Sequence, residues 1–575
     1  MRILFLTHSF NSLSQRLFVE LTARGHEVSI EFDINDAVAE EAVALFQPAL
    51  IVAPFLKRAI PESIWRNHLC LIVHPGIKGD RGPSSLDWAI LRGETRWGVT
   101  CLQADAEMDA GDIWSAVEFE MRDASKGSLY RNEVADAAVT AVLEAIEKLQ
   151  QGNCQPEPLD YSRDDVRGQW HCLMSQAERC IDWRRDDTAT VLRKVRSADG
   201  VPGVRDRIGE RDYFLYNAHP EGDLSGVPGA LLARRDGAIC RATIDGAVWI
   251  THLRPAVPES GEFGFKLPAV QVLGELAAEL PLSELAIDAL PQHPTWQEIR
   301  YREANGVGYL HFDCYNGAMD SSQCMRLRDA VLYAAQRPVK VLVLMGGCDF
   351  WSNGIHLNQI EAADSASDES WRNINAMDDL CQALVENCQQ LVIAAMQGNA
   401  GAGGVFLALA ADEVWARNGV VLNPHYKGMG NLYGSEYWTY LLPKRVGEQQ
   451  AAALTHNRLP LSARQAADAG LLDLVIEGDS FSFVAAVQAR AEALSLSEQI
   501  DERLDRKRTT RLHDEQQKPL SAYRAEELEK MKLNFFGFDP SYHVARYHFV
   551  EKLPKARTPA YLARHRRVVG AKQRP

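Results

Sequence analysis

Residues 1–32 read MRILFLTHSFNSLSQRLFVELTARGHEVSIEF and contain a strand, a helix and a second strand in that order. The runs Ile3–Thr7 and Val28–Phe32 have the length and apolar content of strands. Between them, apolar residues recur at helical spacing, at Leu13, Leu17, Phe18 and Leu21. Gly25 then provides a helix stop. This strand–helix–strand unit predicts a parallel sheet covered by helices.

The same alternation continues to about residue 120, with further buried strands at Leu50–Pro54 and Leu69–His74. Strands separated by helical lengths indicate a doubly wound, Rossmann-like domain. In sheets of this kind, ligands bind beyond the carboxyl ends of the strands. His74 lies at such an end, so we expect it to face a binding cleft.

Changes in pattern divide the chain into four parts. Residues 1–160 form the first α/β domain, and 161–290 carry short β-like runs between turns, which predicts a small OB-like β domain. A linker with two prolines leads to a second α/β unit at 296–495, and 496–575 are charged and largely helical. The predicted fold class is therefore α/β, with a small β domain and a C-terminal helical tail.

The composition is that of an ordinary globular chain, with 46% apolar and 24% charged residues among 575. No apolar run reaches the roughly 18 residues that cross a bilayer, and the first strand is too short for a signal-peptide core, so we expect a cytoplasmic protein. The eleven cysteines lack metal-ligand spacing, which predicts reduced thiols and no metal site. The net charge of −15 argues against general nucleic-acid binding.

The last 75 residues depart from this acidic average. Residues 501–575 hold 18 Lys and Arg against 10 Asp and Glu, and three of the arginines are Arg564, Arg566 and Arg567. One interpretation is a solvated helical tail. The alternative is a clamp for the phosphates of a nucleotide-like cofactor.

Four short motifs follow one another in the first domain. They are His74-Pro75-Gly76, Arg81-Gly82-Pro83, Trp88-Ala89-Ile90 and Asp109-Ala110-Gly111-Asp112-Ile113. In this order they resemble the folate-dependent formyltransferases, and the likeness extends over residues 1 to about 270. Ile181-Asp182-Trp183-Arg184 is similar to the start of that family's small C-terminal β domain. The resemblance implies that 10-formyltetrahydrofolate donates a formyl group here.

His74 and Asp109 are the candidate catalytic residues of this half. Formyl transfer needs an acid/base that works near neutrality and a group that orients it. By resemblance, His74 is the general acid/base and Asp109 orients it, whereas a lone histidine would more simply be a core residue. The candidate cofactor-binding residues of this half are Gln15, Arg81, Gly82, Arg131 and Ser197.

Ile72 is a departure from the formyltransferase pattern. The family places an asparagine two residues before the histidine to hold the formyl oxygen, and an isoleucine cannot donate that hydrogen bond. One missing donor costs about 3 kcal/mol of transition-state stabilisation. Either another group replaces it, or the acceptor is a thiol, which demands less base catalysis than an amine.

Two further motifs lie in the second half. Trp351-Ser352-Asn353-Gly354-Ile355-His356-Leu357 follows a strand, and Gln397-Gly398-Asn399-Ala400-Gly401-Ala402-Gly403-Gly404 opens an apolar helix. The pair resembles the crotonase (enoyl-CoA hydratase/isomerase) family over about residues 298–490. The resemblance implies that the amides of Ile355 and Gly403 form an oxyanion hole and that Gly354 contributes to coenzyme A binding. A phosphate-binding P-loop is excluded, because no Gly-Lys-Ser/Thr follows.

The catalytic carboxylates of the hydratases are absent. Where the family has its two glutamates, this chain has Phe406 and the pair His425-Tyr426, so enoyl-CoA hydration is not expected. The nearest ionisable candidates are Tyr426 and Glu436. A phenol and a carboxylate could move a proton off a formyl carbon or onto a leaving thiolate, although both residues could also be structural.

A formyltransferase-like half fused to a crotonase-like half resembles a family of hydrogenase maturation factors. The resemblance implies that the first half passes a formyl group to coenzyme A and that the second splits formyl-CoA into carbon monoxide and CoA, with the monoxide destined for NiFe-hydrogenase. It implies folate, CoA and the maturation machinery as partners, and neither nucleic acid nor membrane. Two alternatives stay open: a formyltransferase for an amine with a separate thioester-processing half, and a non-catalytic maturation scaffold, which Ile72 and Phe406 would favour.

Overall fold

The computed structural model describes residues 1–152, 154–256 and 264–567. Its first six strands form one sheet in the order β2-β1-β3-β4-β5-β6, in which β1 to β4 pair in parallel and the last two pairings are antiparallel. The predicted parallel sheet is confirmed, and His74 is the last residue of β4. The elements are β1 Arg2–Thr7, α1 Ser12–Ala23, β2 Glu27–Phe32, α2 Asp36–Phe46, β3 Leu50–Ala53, α3 Glu62–Trp65, β4 Cys70–His74, α4 Ser85–Arg92, β5 Arg96–Gln103, β6 Ile113–Glu120, α5 Lys126–Arg131 and α6 Glu133–Gln151.

The next part is built on a separate antiparallel sheet. Its strands follow the order β7-β8-β11-β10-β9, with β12 paired to β11, and α7 packs against β8. The elements are α7 Thr188–Ala198, β7 Val204–Ile208, β8 Arg211–Glu221, β9 Leu231–Arg235, β10 Ala238–Ala242, β11 Ala247–Pro255, β12 Leu267–Pro268, α8 Ala269–Leu273 and α9 Glu275–Ala278.

The second half contains two sheets and most of the helices. A six-stranded sheet has the order β13-β14-β15-β17-β19-β22, and a short sheet has the order β16-β18-β20-β21. Both candidate oxyanion residues follow strands of the short sheet. The elements are β13 Ile299–Ala304, β14 Val307–Phe312, α10 Ser321–Ala335, β15 Val341–Met345, β16 Phe350–Ser352, α11 Leu357–Ala362, α12 Ala366–Glu386, β17 Leu391–Met396, β18 Asn399–Gly401, α13 Gly403–Leu409, β19 Glu413–Arg417, β20 Val421–Asn423, α14 Trp438–Val446, α15 Glu448–His456, β21 Leu461–Ser462, α16 Ala463–Asp468, β22 Leu474–Ile476 and α17 Ser480–Ser495.

The C-terminal part is helical, as predicted, and consists of α18 Ile500–Gln517, α19 Leu520–Phe536 and α20 Ser541–Val550. Its last described stretch returns to the first sheet, where the amide of Ile30 donates to the carbonyl of Leu562 at 3.2 Å. Arg566 pairs with Glu31 at 2.8 Å and with Glu41 at 2.6 Å. This guanidinium is therefore neutralised by the first domain, which contradicts a phosphate clamp at Arg566.

Two arginines that share Asp136 connect the two halves of the molecule. Arg16 of α1 binds Asp136 of α6 and the carbonyl of Gly419, each at 3.0 Å. Arg417 of β19 reaches the same Asp136 at 3.3 Å. Within the described ranges, no helix has the combined length and apolarity of a bilayer span.

Candidate active sites

His74 is held between two carboxylates at the carboxyl end of β4. Nε2 of His74 lies 2.8 Å from Oδ2 of Asp80, and Nδ1 lies 3.6 Å from Oδ2 of Asp109. The side chains of His74 and Asp80 are 5% and 0% exposed. Burial lowers the pKa of His74, but the hydrogen bond to Asp80 and the charges of Asp109 and Asp80 outweigh it, so the pKa is raised.

The contact between His74 and Asp80 depends on a glycine. A Cβ built on Gly76 would lie 2.4 Å from Oδ2 of Asp80 and 2.5 Å from Nε2 of His74, so any side chain at this position would separate the pair. Asp80 also keeps a buried oxygen, Oδ1, without a hydrogen-bond partner among the described residues. The sequence analysis does not identify Asp80 as a site residue, because nothing in the local sequence indicates that this turn folds back onto His74.

Arg81 and Gly82 position Asp109. The amide of Gly82 donates to Oδ2 of Asp109 at 3.1 Å, and Nε of Arg81 donates to the carbonyl of Met108 at 2.9 Å. Asp109 itself has a φ of 54°, which turns its side chain back toward the histidine loop. The motif expected to bind a cofactor thus supports the carboxylate beside His74.

The other residues of the first half that are expected to bind a cofactor, Gln15, Arg131 and Ser197, make no contact with His74 among the hydrogen bonds and ion pairs of the described residues. Gln15 Oε1 accepts from Nδ2 of Asn423 at 3.0 Å, and Arg131 binds Asp349 at 2.9 Å, so both reach the second half. Nε of Arg131 is buried without a hydrogen-bond partner among the described residues. Ser197 is fully buried, and its hydroxyl donates to the carbonyl of Lys194 within α7, at 2.8 Å.

The second site is built from two backbone amides. The amides of Ile355 and Gly403 donate to no atom of the described residues, whereas the neighbouring amides of Gly354 and Ala402 donate to Ser352 Oγ and to the carbonyl of Asn423. A Cβ built on Gly354 would lie 3.4 Å from the nitrogen of Gly403, which brings the two loops into contact. Two free donors at a helix start can stabilise a developing oxyanion.

Glu436 lies against this pair of amides. A Cβ built on Gly403 would lie 2.1 Å from Oε1 of Glu436, so a glycine is required for the carboxyl group to approach the backbone. Glu436 is 1% exposed. Burial and the charge of Asp378 raise its pKa to about 8, although the hydrogen bond from Tyr426 opposes the shift.

Tyr426 links Glu436 to the backbone. Its Oη lies 2.5 Å from Oε2 of Glu436 and 3.0 Å from the carbonyl oxygen of Ser435. A phenol carries one proton and can donate to only one of these oxygens. When Glu436 is protonated it can donate to the phenol, which then donates to Ser435. When Glu436 is ionised the phenol donates to it instead, and this is the hydrogen bond that opposes the rise in the pKa of Glu436.

Phe406 is the residue that, by the resemblance above, is expected where the hydratases have a glutamate. Its ring stacks on that of Tyr426, with centroids 5.3 Å apart and an interplanar angle of 16°. Phe406 is fully buried and packs in the main core of this half. It therefore fixes the orientation of the phenol and leaves Glu436 as the carboxylate beside the two amides.

Comparisons with known proteins agree with this division of the chain. Family models match three stretches, described as formyl transferase over residues 22–146, formyl transferase, C-terminal domain, over 173–259, and enoyl-CoA hydratase/isomerase over 303–556. The sequence-based resemblance to both families is confirmed. These domain types indicate an enzyme.

Whole-chain relatives combine the same parts in the same order. The chain is 53% identical over 568 residues to the hydrogenase maturation factor HoxX of Bradyrhizobium diazoefficiens. The aligned region covers 98% of this chain and 97% of that protein. The crystal structure of HypX from Aquifex aeolicus in complex with tetrahydrofolic acid matches with a TM-score of 0.95 and 49% identity, over 99% of each chain. Methionyl-tRNA formyltransferase of Desulfotalea psychrophila is 30% identical over 222 residues, 37% of this chain and 66% of that protein. The chain belongs to the HypX/HoxX family of hydrogenase maturation factors.

Proposed function

We propose that the chain makes carbon monoxide in two steps. The first site transfers a formyl group from 10-formyltetrahydrofolate to coenzyme A, and the second splits formyl-CoA into carbon monoxide and CoA. The observation that carries this proposal is the second site, where the buried Glu436 lies against Gly403, whose amide has no acceptor among the described residues, and pairs with Tyr426, whose ring stacks on Phe406. The folate bound in the Aquifex relative supports a folate donor at the first site.

At the first site, His74 transfers a proton from the thiol to the folate nitrogen. When the CoA thiol takes the formyl group, the N–C bond of the folate breaks, an S–C bond forms, and the thiol proton ends on nitrogen. Because Asp80 holds Nε2 of His74, Nδ1 is the nitrogen left to take that proton and pass it on. Asp109, 3.6 Å from Nδ1, stabilises the imidazolium that forms in between.

At the second site, one proton passes from carbon to sulfur. The C–H and C–S bonds of formyl-CoA break and an S–H bond forms, so neither water nor an oxidant is consumed. In this proposal, ionised Glu436 takes the formyl proton and returns it to the leaving sulfur. The amides of Ile355 and Gly403 hold the thioester oxygen during this proton transfer. The apolar ring of Phe406 disfavours a bound water, which hydration of an enoyl thioester would need.

The join between the halves favours direct transfer of the thioester. Gln15 of α1 accepts from Asn423, whose carbonyl accepts the amide of Ala402, the residue before Gly403. A cavity of about 300 Å³ also lies where three parts of the chain meet, with Ser125, Asn217 and Asn316 in its lining. A tethered pantetheine arm would gain from a high effective concentration at the second site.

The test is carbon monoxide release from 10-formyltetrahydrofolate, with and without CoA, trapped by deoxyhaemoglobin. We expect release that requires CoA and is lost in His74→Ala and in Glu436→Ala. Formyl-CoA supplied directly should restore release to His74→Ala but not to Glu436→Ala. His293→Ala, which alters an exposed histidine, should match the wild type.

Two results would contradict the proposal. Formylation of amines without CoA would select an amine formyltransferase, and folded protein that forms neither tetrahydrofolate nor carbon monoxide would select a scaffold. The acceptor is tested further with Ile72→Asn. We expect a gain with amine acceptors and none with CoA, since the asparagine adds a donor for the formyl oxygen. An unchanged rate with both acceptors would exclude our explanation of Ile72.

A further inference from the structure

Ser435, Glu436 and Tyr437 form a turn that needs support from its neighbours. Glu436 and Tyr437 have φ values of 61° and 58°, so two consecutive residues other than glycine lie in the left-handed region. Side chains crowd the backbone there, and such a turn persists only where its surroundings hold it. Its conformation matters because it places the Glu436 carboxyl against Gly403.

Asp378 of α12 supports the first part of the turn. Oδ1 accepts the amide of Glu436 at 2.8 Å, and Oδ2 accepts the hydroxyl of Ser435 at 2.9 Å. Asp378 is fully buried, so its carboxylate is committed to these contacts and to a nearby Arg524, whose Nε lies 3.7 Å away.

Glu527 of α19 supports the second part. Oε2 accepts the amide of Tyr437 at 3.0 Å, and Oε1 accepts the amide of Thr439 at 2.8 Å and its hydroxyl at 2.5 Å. Glu527 is also fully buried. The C-terminal helical part thus places a carboxylate beneath the turn that carries Glu436.

Three carboxyl groups therefore share one buried region. Burial, with the charge of Asp379, raises the pKa of Asp378 to about 6, and burial with the charge of Asp378 raises those of Glu436 and Glu527 to about 8. Arg524 is the cation that faces them, and it also binds Asp379 at 2.6 Å. The other titratable groups around the cluster are Tyr426, Tyr437, Cys324 and Cys381.

We propose that Asp378 and Glu527 are positioning residues of the second site, which hold the Ser435–Tyr437 turn and set the charge around Glu436. Neither is placed to touch a substrate at the two amides, and both act through the backbone of the turn. This inference rests on the proposed role of Glu436 as a base. It makes α12 and α19 parts of the active site.

Asp378→Asn tests the charge while it keeps the contacts. The asparagine oxygen can still accept the amide of Glu436, and its NH₂ can donate to the hydroxyl of Ser435. Loss of a negative charge lowers the pKa of Glu436. With formyl-CoA as substrate, we expect the rising limb of kcat to move about one pH unit lower, with KM unchanged. A limb that stays in place in folded protein would overturn the proposal.

Glu527→Gln tests the geometry. Both oxygens of Glu527 accept backbone amides, so an NH₂ group at either position faces a donor. We expect kcat to fall roughly 10- to 100-fold at constant KM, with partial rescue in Glu527→Asp. Glu526→Gln alters a neighbouring side chain that pairs with Lys518 at the surface, and it should match the wild type. A normal kcat in Glu527→Gln, or an equal loss in Glu526→Gln, would refute the assignment.

A measurement without turnover separates this inference from the proposed function. The infrared carbonyl band of protonated Glu436, identified by its loss in Glu436→Gln, can be titrated in each variant. We expect the band to disappear at lower pH in Asp378→Asn than in the wild type. A shifted band in protein that releases no carbon monoxide would support the positioning role and refute the proposed function. An unshifted band would refute the positioning role.

Discussion

Replacement of Tyr426 by phenylalanine should move the pH dependence of the second reaction upward. The phenol lies 2.5 Å from Oε2 of Glu436, and a hydrogen bond to an ionised group contributes about 1.5–3 kcal/mol. One pKa unit corresponds to about 1.4 kcal/mol, so loss of the donor raises the pKa of Glu436 by roughly one to two units above its value of about 8. At about pH 7 the ionised fraction then falls roughly 10- to 100-fold.

The assay for Tyr426→Phe is carbon monoxide release from supplied formyl-CoA across a pH series. Because ionised Glu436 is the base, the rate should rise with pH and approach the wild-type plateau at high pH. The phenyl ring keeps its stack on Phe406, so the fold should be preserved. Tyr333→Phe is a control, since that hydroxyl donates to Asp288 at the surface, 2.7 Å away. This account would be refuted if the rising limb of the pH–rate profile did not move to higher pH, or if high pH did not restore the rate of carbon monoxide release.

Three further predictions concern other parts of the molecule. Asp80→Asn should lower the pKa of His74 and slow formyl transfer roughly 10- to 100-fold, while release from supplied formyl-CoA stays normal; equal losses in both assays would argue against its placement in the first site. Gly403→Ala should reduce carbon monoxide release about 100-fold, because the new methyl group displaces Glu436 while the backbone amide remains, and an unchanged rate would contradict the placement of Glu436 against Gly403. Glu31→Gln should cost about 3 kcal/mol of unfolding free energy and speed proteolysis of the tail. Since the pKa of Glu31 is lowered, the wild type should lose this stability as pH falls below about 4, and a melting curve with the same acid dependence in Glu31→Gln would contradict the prediction.

Local pattern was enough to predict the first sheet, whereas the two candidate oxyanion loops were identified by resemblance to the crotonase family. Residues Ile3 to Leu6 alternate between opposite faces of one strand and are all buried, which is what a continuous apolar run indicates in a parallel sheet. The capped start of α1 also follows from sequence, because Asn11 Oδ1 accepts the amide of Ser14 at 3.0 Å. Such features depend on residues a few positions apart.

The supports of the two sites could not be predicted in this way. Asp378 is 58 residues from Glu436 and Glu527 is 90 from Tyr437, and each sits on a helix whose sequence gives no sign of the turn it meets. Ser197 shows the same limit, since its hydroxyl bonds within its own helix and its expected part in cofactor binding stays a prediction. Only the packing of distant elements decides which polar side chains reach a site.

The return of the tail to β2 has a consequence for the order in which the protein folds. His565 and Glu31, 2.9 Å apart, are separated by 534 residues, so the ribosome makes the strand long before the groups that cover it. Until then, Glu31 on the edge strand β2 has no cation beside it. The exposed edge of this strand is also open to pairing with other strands. The amino-terminal domain is thus completed only after residues 558–566 have been made, and a chain that stopped before them would leave β2 uncovered.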